Sequence, residues 1–205
     1  MPFTQLDPTI DLGVVYGIVA DRDGQTIVAN RVFETLIYNY LVSVARTSEL
    51  LLPNPDDHTT FVRGGQLDMN RLVARFSDFL RREYRTADGA FMEDHARLIF
   101  LGWISPIING SGHYYVEAEV RQSRRMDVVI SFGGREHIVE LKIWSGPADH
   151  EKAYDQLCAY LDARQENEGW LITLTNQTSV PVSGTHRIIH HGHTIWDTII
   201  AYAQD

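Results

Sequence analysis

The feature that most constrains the fold is a Gly133-Gly134 pair between two stretches typical of β-strands, residues 126–132 and 137–144. Two glycines between runs of alternating hydrophobic residues favour a two-residue hairpin turn, because glycine readily adopts the positive φ angles that such turns require. We therefore expect an antiparallel hairpin whose register is set by its turn.

The register of this hairpin brings charged residues together. A two-residue loop pairs Phe132 with Arg135, and counting back from that pair places Asp127 opposite Glu140. Cβ atoms at opposed positions lie about 4.5–5.5 Å apart, so two carboxylates there repel each other unless a cation compensates them. Lys142 lies two residues beyond Glu140, on the same face of the strand. The sequence predicts two carboxylates and one ammonium group in a single patch.

This patch suits a hard metal ion. Two close carboxylates form an oxygen site for Mg²⁺ or Mn²⁺, which keep several water ligands and also bind phosphate oxygens. Such an ion lowers the pKa of a bound water and polarises a phosphoryl group. A nearby lysine can orient the attacking water and offset charge that builds on the phosphate. The alternative interpretation is a strand pair whose charged residues simply face water.

Hydrophobic spacing and turn signals predict a mainly helical N-terminal region, with a small hairpin, and a mixed α/β or α+β C-terminal region. The elements predicted in the first region are strands at 14–19 and 26–29 and helices at about 31–52 and 68–85. The elements predicted in the second region are a helix at 90–104, strands at 113–122, 126–132 and 137–144, a helix at 149–164, strands at 170–175 and 187–190, and a helix at 194–203. The domains expected are residues 1–30, 31–88 and 89–205.

The composition limits the classes of function. The 205 residues carry a formal net charge of −9, which argues against nucleic-acid binding over the whole surface. Residues 63–85 nevertheless contain six arginines and three acidic residues, and Arg121, Arg124 and Arg125 form a second basic cluster. Both clusters could contact phosphates or be solvated faces. No apolar run reaches the roughly 18 residues that span a bilayer, and no signal peptide is visible, so we expect a cytoplasmic protein with no membrane contact.

The helix predicted after the hairpin carries two stripes. Lys152, Gln156 and Tyr160 recur every four residues and form a polar stripe. The apolar stripe beside it consists of Ala153, Leu157 and Leu161. The polar stripe could contact substrate phosphates, although a solvated helix face would have the same pattern. Cys158, the single cysteine, excludes a disulfide framework and is expected to be a small buried side chain.

Together these residues resemble the PD-(D/E)xK nuclease superfamily. The order of Asp127, then Glu140-Leu141-Lys142, then a helix with Gln156 four residues before Tyr160 is similar to the branch with a Q-x-x-x-Y motif. The stretches that resemble the C-terminal nuclease-like domain found after predicted AAA-type ATPase domains are residues 100–112, 124–129, 139–146 and 155–162.

The resemblance implies a restriction-endonuclease-like core of order α-β-β-β-α-β, and hydrolysis of DNA phosphodiester bonds with Mg²⁺ or Mn²⁺. Asp127 and Glu140 match the metal-binding acids, and Lys142 matches the catalytic lysine. Gln156 and Tyr160 match the accessory pair of the branch.

Other positions match the family less fully. The family often has a further glutamate on its first helix, for which Glu93 is the candidate by position and Asp94 the alternative. Met126 stands where the proline of the motif would be. The hairpin at 14–29 resembles the wing that precedes such nuclease domains, but no P-loop sequence is present. An ATPase partner or a missing ATPase domain is therefore implied, and the chain is either a stand-alone remnant or a portion of a longer protein.

Several alternatives stay open from the sequence. The histidine run at 190–193 is interpreted as a turn with exposed imidazoles in preference to a metal cluster. Glu117 and Glu119 could extend the acidic site or face water. A homodimer is a further expectation, because many small nucleases cut both strands with two active sites. The rival function is a non-catalytic module of the same fold that binds nucleic acid or protein.

Overall fold

A computed structural model describes residues 2–29, 58–83, 93–116, 128–177, 180 and 183–202, together with Phe33, Leu36, Ile37 and Tyr40. Its N-terminal elements are α1 (Pro8–Val15) and a hairpin of β1 (Val19–Arg22) and β2 (Gln25–Val28). The other elements are α2 (His58–Phe61), β3 (Val62–Arg63), β4 (Gln66–Leu67), α3 (Met69–Glu83), α4 (Glu93–Ile108), β5 (Gly112–Tyr115), β6 (Val128–Phe132), β7 (Arg135–Ile143), α5 (Pro147–Arg164), β8 (Glu168–Thr175), β9 (Ser183–His190) and β10 (His193–Ala201).

Six strands form one mixed sheet in the order β5-β6-β7-β8-β10-β9. β5, β6 and β7 are antiparallel neighbours, whereas β8 runs parallel to both β7 and β10. The predicted hairpin register is confirmed, with Phe132 paired with Arg135 and Val129 paired with Ile138. Gly133 and Gly134 have φ angles of 57° and 78°, in the region that favours glycine. The mixed α/β class is confirmed, and the described elements from α4 to β8 follow the order helix, three strands, helix and strand.

Helices cover both faces of this sheet. One face packs on α3 and α4 through a large apolar cluster that includes Phe76, Phe100 and Leu141. The other face packs on α5 through a smaller cluster that includes Ile138, Leu157 and Leu171. The helix predicted at 68–85 therefore packs into the same core as the sheet, whereas the sequence predicts a separate helical region at 31–88. The predicted helix at 31–52 falls mostly outside the described residues.

α3 separates its apolar and charged residues by helical spacing. Leu72, Val73 and Phe76 are fully buried, and Leu80 is nearly so. The solvent face carries the exposed side chains of Arg71, Arg75, Arg81 and Arg82. An amphipathic helix of this kind is stabilised by burial of one face, which leaves its arginines available to solvent.

The predicted terminal helix at 194–203 is wrong, because this segment is the strand β10. A turn at His191 and Gly192, with φ angles of 47° and 86°, returns the chain from β9 into β10. β10 then lies between β8 and β9, where its β-branched residues, such as Ile195 and Ile199, fit the pleated surface. The tertiary pairing with β8 outweighs the helical spacing of the sequence.

Two other boundaries also differ from the prediction. Residues 14 and 15 belong to α1, because Asp7 caps that helix through hydrogen bonds that Oδ1 accepts from the backbone N–H groups of Thr9 (2.8 Å) and Ile10 (3.3 Å). α4 continues through Pro106 to Ile108, where the sequence predicts that the proline ends it. Burial of Ile107 and Ile108 in the core offsets the hydrogen bond that the proline removes.

None of the described helices has both the length and the hydrophobicity that a membrane crossing requires.

His137 makes the stability of the fold depend on pH. Its ring is buried on β7 against Trp170, with centroids 5.5 Å apart, and this burial lowers its pKa below the usual value. Because the unfolded chain then binds the proton more readily, the stabilisation is complete above about pH 6.5 and is lost as pH falls through the folded-state pKa. We expect urea unfolding of His137→Phe to depend less on pH between 7.5 and 5 than that of the wild type. The exposed His186→Asn control should keep the wild-type slope; equal slopes for all three proteins would contradict this prediction.

Candidate functional site

Alternation along β7 assigns Glu140 and Lys142 to the α5 side of the sheet. Val139 and Leu141 pack in the cluster with α3 and α4, whereas Ile138 packs in the cluster with α5. Glu140 and Lys142 share the face of Ile138, since side chains two residues apart in a strand point the same way. Both side chains therefore lie beneath α5.

Glu140 and Lys142 form an ion pair whose carboxylate is buried. Nζ of Lys142 lies 2.9 Å from Oε1 of Glu140, and the Glu140 side chain is fully buried while that of Lys142 is 25% exposed. A buried carboxylate is costly unless a positive charge and hydrogen bonds compensate it. The predicted proximity of this lysine to this glutamate is confirmed, and the ammonium group compensates the charge.

A pocket of about 220 Å³ opens beside this pair, at the end of β7 and the first half of α5. The described residues that line it are Lys142, Ile143, Trp144, Ser145, Asp149, His150, Lys152, Ala153, Gln156 and Thr173. The ammonium group of Lys142 thus contacts the buried carboxylate of Glu140, and the same side chain forms part of the pocket wall. Glu140 is not among the lining residues that the structure describes, so the lysine connects the carboxylate to the pocket.

The polar stripe of α5 runs from solvent into the interior. Lys152 is 74% exposed at the pocket and donates a hydrogen bond of 2.8 Å to Oδ1 of Asp149, which lowers the pKa of that carboxyl group. Gln156 is half-buried, and its Nε2 donates to the hydroxyl of the buried Tyr160 over 3.1 Å. This i,i+4 hydrogen bond fixes the amide of Gln156 at the pocket wall. The predicted apolar stripe on α5 and the buried Cys158 are confirmed.

A polar chain at the same pocket was not anticipated from the sequence. Nε2 of His150 lies 3.1 Å from Oδ2 of the buried Asp197, and Nδ1 lies 3.2 Å from Oγ1 of Thr173. Tyr154 donates to the same Asp197 oxygen over 2.9 Å, and burial raises the pKa of its phenol. His150 and Tyr154 have the i,i+4 spacing of one helix face. The sequence does not predict their contact with Asp197, because the spacing of residues 194–203 predicts a helix where the structure has β10.

The remaining predicted residues are only partly located. Asp127 lies outside the described residues; the last described pair of the hairpin, Val128 with Val139, is one residue short of it. Glu93 is the first residue of α4, which packs on the opposite face of the sheet from α5, and its side chain and that of Asp94 are outside the description. The acids at 117 and 119 and the arginines at 121–125 also lie outside it.

The described arginines of α3 do not line the pocket, since α3 covers the face of the sheet opposite to α5. They form a separate exposed basic face. Any contact they make with a nucleic acid would therefore be remote from Lys142.

No protein-family model and no curated protein matches this chain. The geometry of the Glu140–Lys142 pair and its pocket is therefore the basis for assigning a function.

Proposed function

We propose that this protein is a metal-dependent nuclease that hydrolyses phosphodiester bonds in DNA. The observation that carries the proposal is the fully buried Glu140 held 2.9 Å from Lys142 beside a polar pocket. Burying an ionised carboxylate is expensive, and a buried charged group with a specific charge partner beside a cleft is a candidate functional site. The proposal is supported by the order of the described elements, helix, three strands, helix and strand, which is the order that the sequence resemblance implies. Glu140 and Lys142 lie on β7, and Gln156 and Tyr160 lie on α5.

The donor set fits Mg²⁺ or Mn²⁺. Glu140 supplies a carboxylate on β7, and the sequence predicts Asp127 opposite it, one pair beyond the last described pair, Val128 with Val139. Carboxylate oxygens are the protein ligands these ions prefer, and the rest of the coordination sphere is left to water and phosphate oxygens. The resemblance implies Glu93, at the start of α4, as an additional ligand, but α4 packs on the face of the sheet opposite to Glu140, so the proposed site rests on Asp127 and Glu140. When bound, the ion would activate a water molecule and polarise the phosphoryl group.

The other residues of the pocket orient the substrate and stabilise charge. The Lys142 ammonium would hold the attacking water or a non-bridging phosphate oxygen, where it offsets negative charge as the phosphorus is attacked. The amide of Gln156, fixed by Tyr160, would donate to a phosphate oxygen. The exposed Lys152 would add a contact to a phosphate of the DNA backbone, and salt would screen that contact. An ATPase partner and a homodimer are retained as proposals that follow from the resemblance.

A second function is favoured by a different observation. The exposed arginines of α3, on the face opposite to the pocket, suit a non-catalytic module that holds nucleic acid through its phosphates. This alternative requires no metal, and its affinity would not depend on Glu140.

Cleavage assays distinguish the two functions. We expect the wild type to nick supercoiled plasmid or degrade single-stranded DNA with Mg²⁺ or Mn²⁺ and to be inactive in EDTA. Glu140→Gln, which keeps the shape of the side chain, should lose at least about 100-fold in rate, as loss of a transition-state contact does. The matched control is Glu151→Gln, an exposed glutamate of α5 outside the pocket, which should keep full activity. DNA binding without cleavage of DNA or RNA by any of the proteins would favour the non-catalytic module.

A further inference from the structure

A group of three potential metal ligands lies where α5 meets the β9–β10 hairpin. β9 ends at His190, and His191 occupies the first position of the turn that leads into β10. Asp155 projects from α5 toward this turn. The three residues come from two elements 35 residues apart in the chain, so only the folded protein brings them together.

The two imidazoles converge on one carboxylate oxygen. Nε2 of His190 lies 2.7 Å from Oδ1 of Asp155, and Nε2 of His191 lies 3.2 Å from the same atom. The three ligand atoms all lie within 4.8 Å of one another. With metal–ligand bonds of about 2.0–2.2 Å, ligand atoms around a tetrahedral ion are about 3.4 Å apart. Small side-chain rotations therefore suffice to accommodate an ion between them.

The ligand types select the class of metal. Two imidazoles and one carboxylate suit Zn²⁺, Co²⁺ or Ni²⁺, whereas Mg²⁺ and Ca²⁺ prefer oxygen ligands alone. The nearby Cys158 is not a candidate ligand, because its buried Sγ contacts the backbone carbonyl of His190 over 3.3 Å and burial raises the pKa of its thiol.

The position is open to an ion from solvent. The side chains of His191 and Asp155 are 68% and 56% exposed, while that of His190 is 23% exposed. None of the three lines the pocket beside Lys142. An ion held here would keep coordination positions for water and would fasten the hairpin to α5.

We propose that Asp155, His190 and His191 form a binding site for a Zn²⁺-class transition-metal ion, distinct from the proposed Mg²⁺ site at Glu140. The site acts as a clip between α5 and the β9–β10 hairpin. It does not depend on nuclease activity, so the two proposals can fail separately.

The test is a calorimetric titration of the full chain with Zn²⁺ at neutral pH, repeated with Co²⁺ to record its absorption spectrum. We expect one Zn²⁺ per chain at this site, and at least tenfold weaker binding in both His191→Ala and Asp155→Asn. The matched control is His193→Ala, because His193 lies on the same hairpin but its Nε2 is 2.9 Å from Asp162 instead. This control should bind Zn²⁺ as the wild type does.

Thermal unfolding gives a second readout. Zn²⁺ should raise the melting temperature of the wild type and of His193→Ala but not that of His191→Ala. Equal Zn²⁺ affinity in the wild type, His191→Ala and Asp155→Asn would overturn the proposal, as would an equal loss in the His193 control. His191 is an exposed turn residue, so its alanine variant should fold. Mg²⁺-dependent cleavage by that variant should be unchanged, which separates this site from the one at Glu140.

Discussion

Lys142→Met is expected to slow metal-dependent DNA cleavage by about 100- to 1000-fold, the range seen when one group that stabilises developing charge is removed. The methionine keeps the length and apolar stem of the side chain but removes the ammonium group that contacts Glu140 over 2.9 Å. The rate should be measured at saturating metal, with circular dichroism at the assay temperature to verify that the variant is folded. Metal binding should persist, because the carboxylate is retained.

The matched control for this variant is Lys152→Met. Lys152 lines the same pocket but is 74% exposed and bonded to Asp149, so it contributes a screened phosphate contact. Its loss should reduce the rate less than about tenfold, mainly through weaker substrate binding at low salt, and the difference from the wild type should shrink as salt screens the contact. Equal losses in the two methionine variants would contradict a special role for Lys142.

Phe76→Ala is expected to lower the free energy of unfolding by about 3–5 kcal/mol, the usual cost of removing a buried phenyl ring. Phe76 is fully buried on α3, and its ring centroid lies 5.0 Å from that of Phe100 and 5.5 Å from that of Trp103, both on α4. Urea unfolding followed by circular dichroism measures the change. The neighbouring Arg75→Ala, on the exposed face, should change stability by less than about 0.5 kcal/mol.

Phe76→Ala also tests whether the chain has a domain boundary near residue 88. Because α3 shares its core with α4 and the sheet, Phe76→Ala should shift one cooperative transition that includes the strands. Two transitions, of which only the first moves, would contradict the shared core and would support the boundary near residue 88 that the sequence suggested.

The features predicted well from the sequence are local ones. The Gly133-Gly134 turn determines which residues of β6 and β7 face each other, and strand alternation then assigns Glu140 and Lys142 to one side. Helical spacing likewise places Gln156 next to Tyr160, and the two are hydrogen-bonded. In each case the relative positions of the side chains follow from the backbone geometry of one hairpin or one helix.

The features that escaped prediction depend on long-range contacts. Residues 194–203 have a helical spacing, yet their pairing with β8 makes them a strand. That strand brings Asp197 to His150, and its hairpin brings His190 to Asp155. The spacing of residues within one helix or strand cannot predict these two contacts, because they depend on which strand pairs with β8.

The measurement that tests the central claim most directly is a calorimetric titration with Mn²⁺ of His191→Ala and of His191→Ala combined with Glu140→Gln. The His191 replacement weakens the proposed site formed by Asp155, His190 and His191. The Mn²⁺ binding that remains is therefore expected to come from the proposed site at Glu140. We expect binding in the micromolar to millimolar range in the first protein, a range common for hard-cation carboxylate sites, and at least tenfold weaker binding in the second. Identical titrations of the two folded proteins, or no binding in either, would contradict a metal site at Glu140.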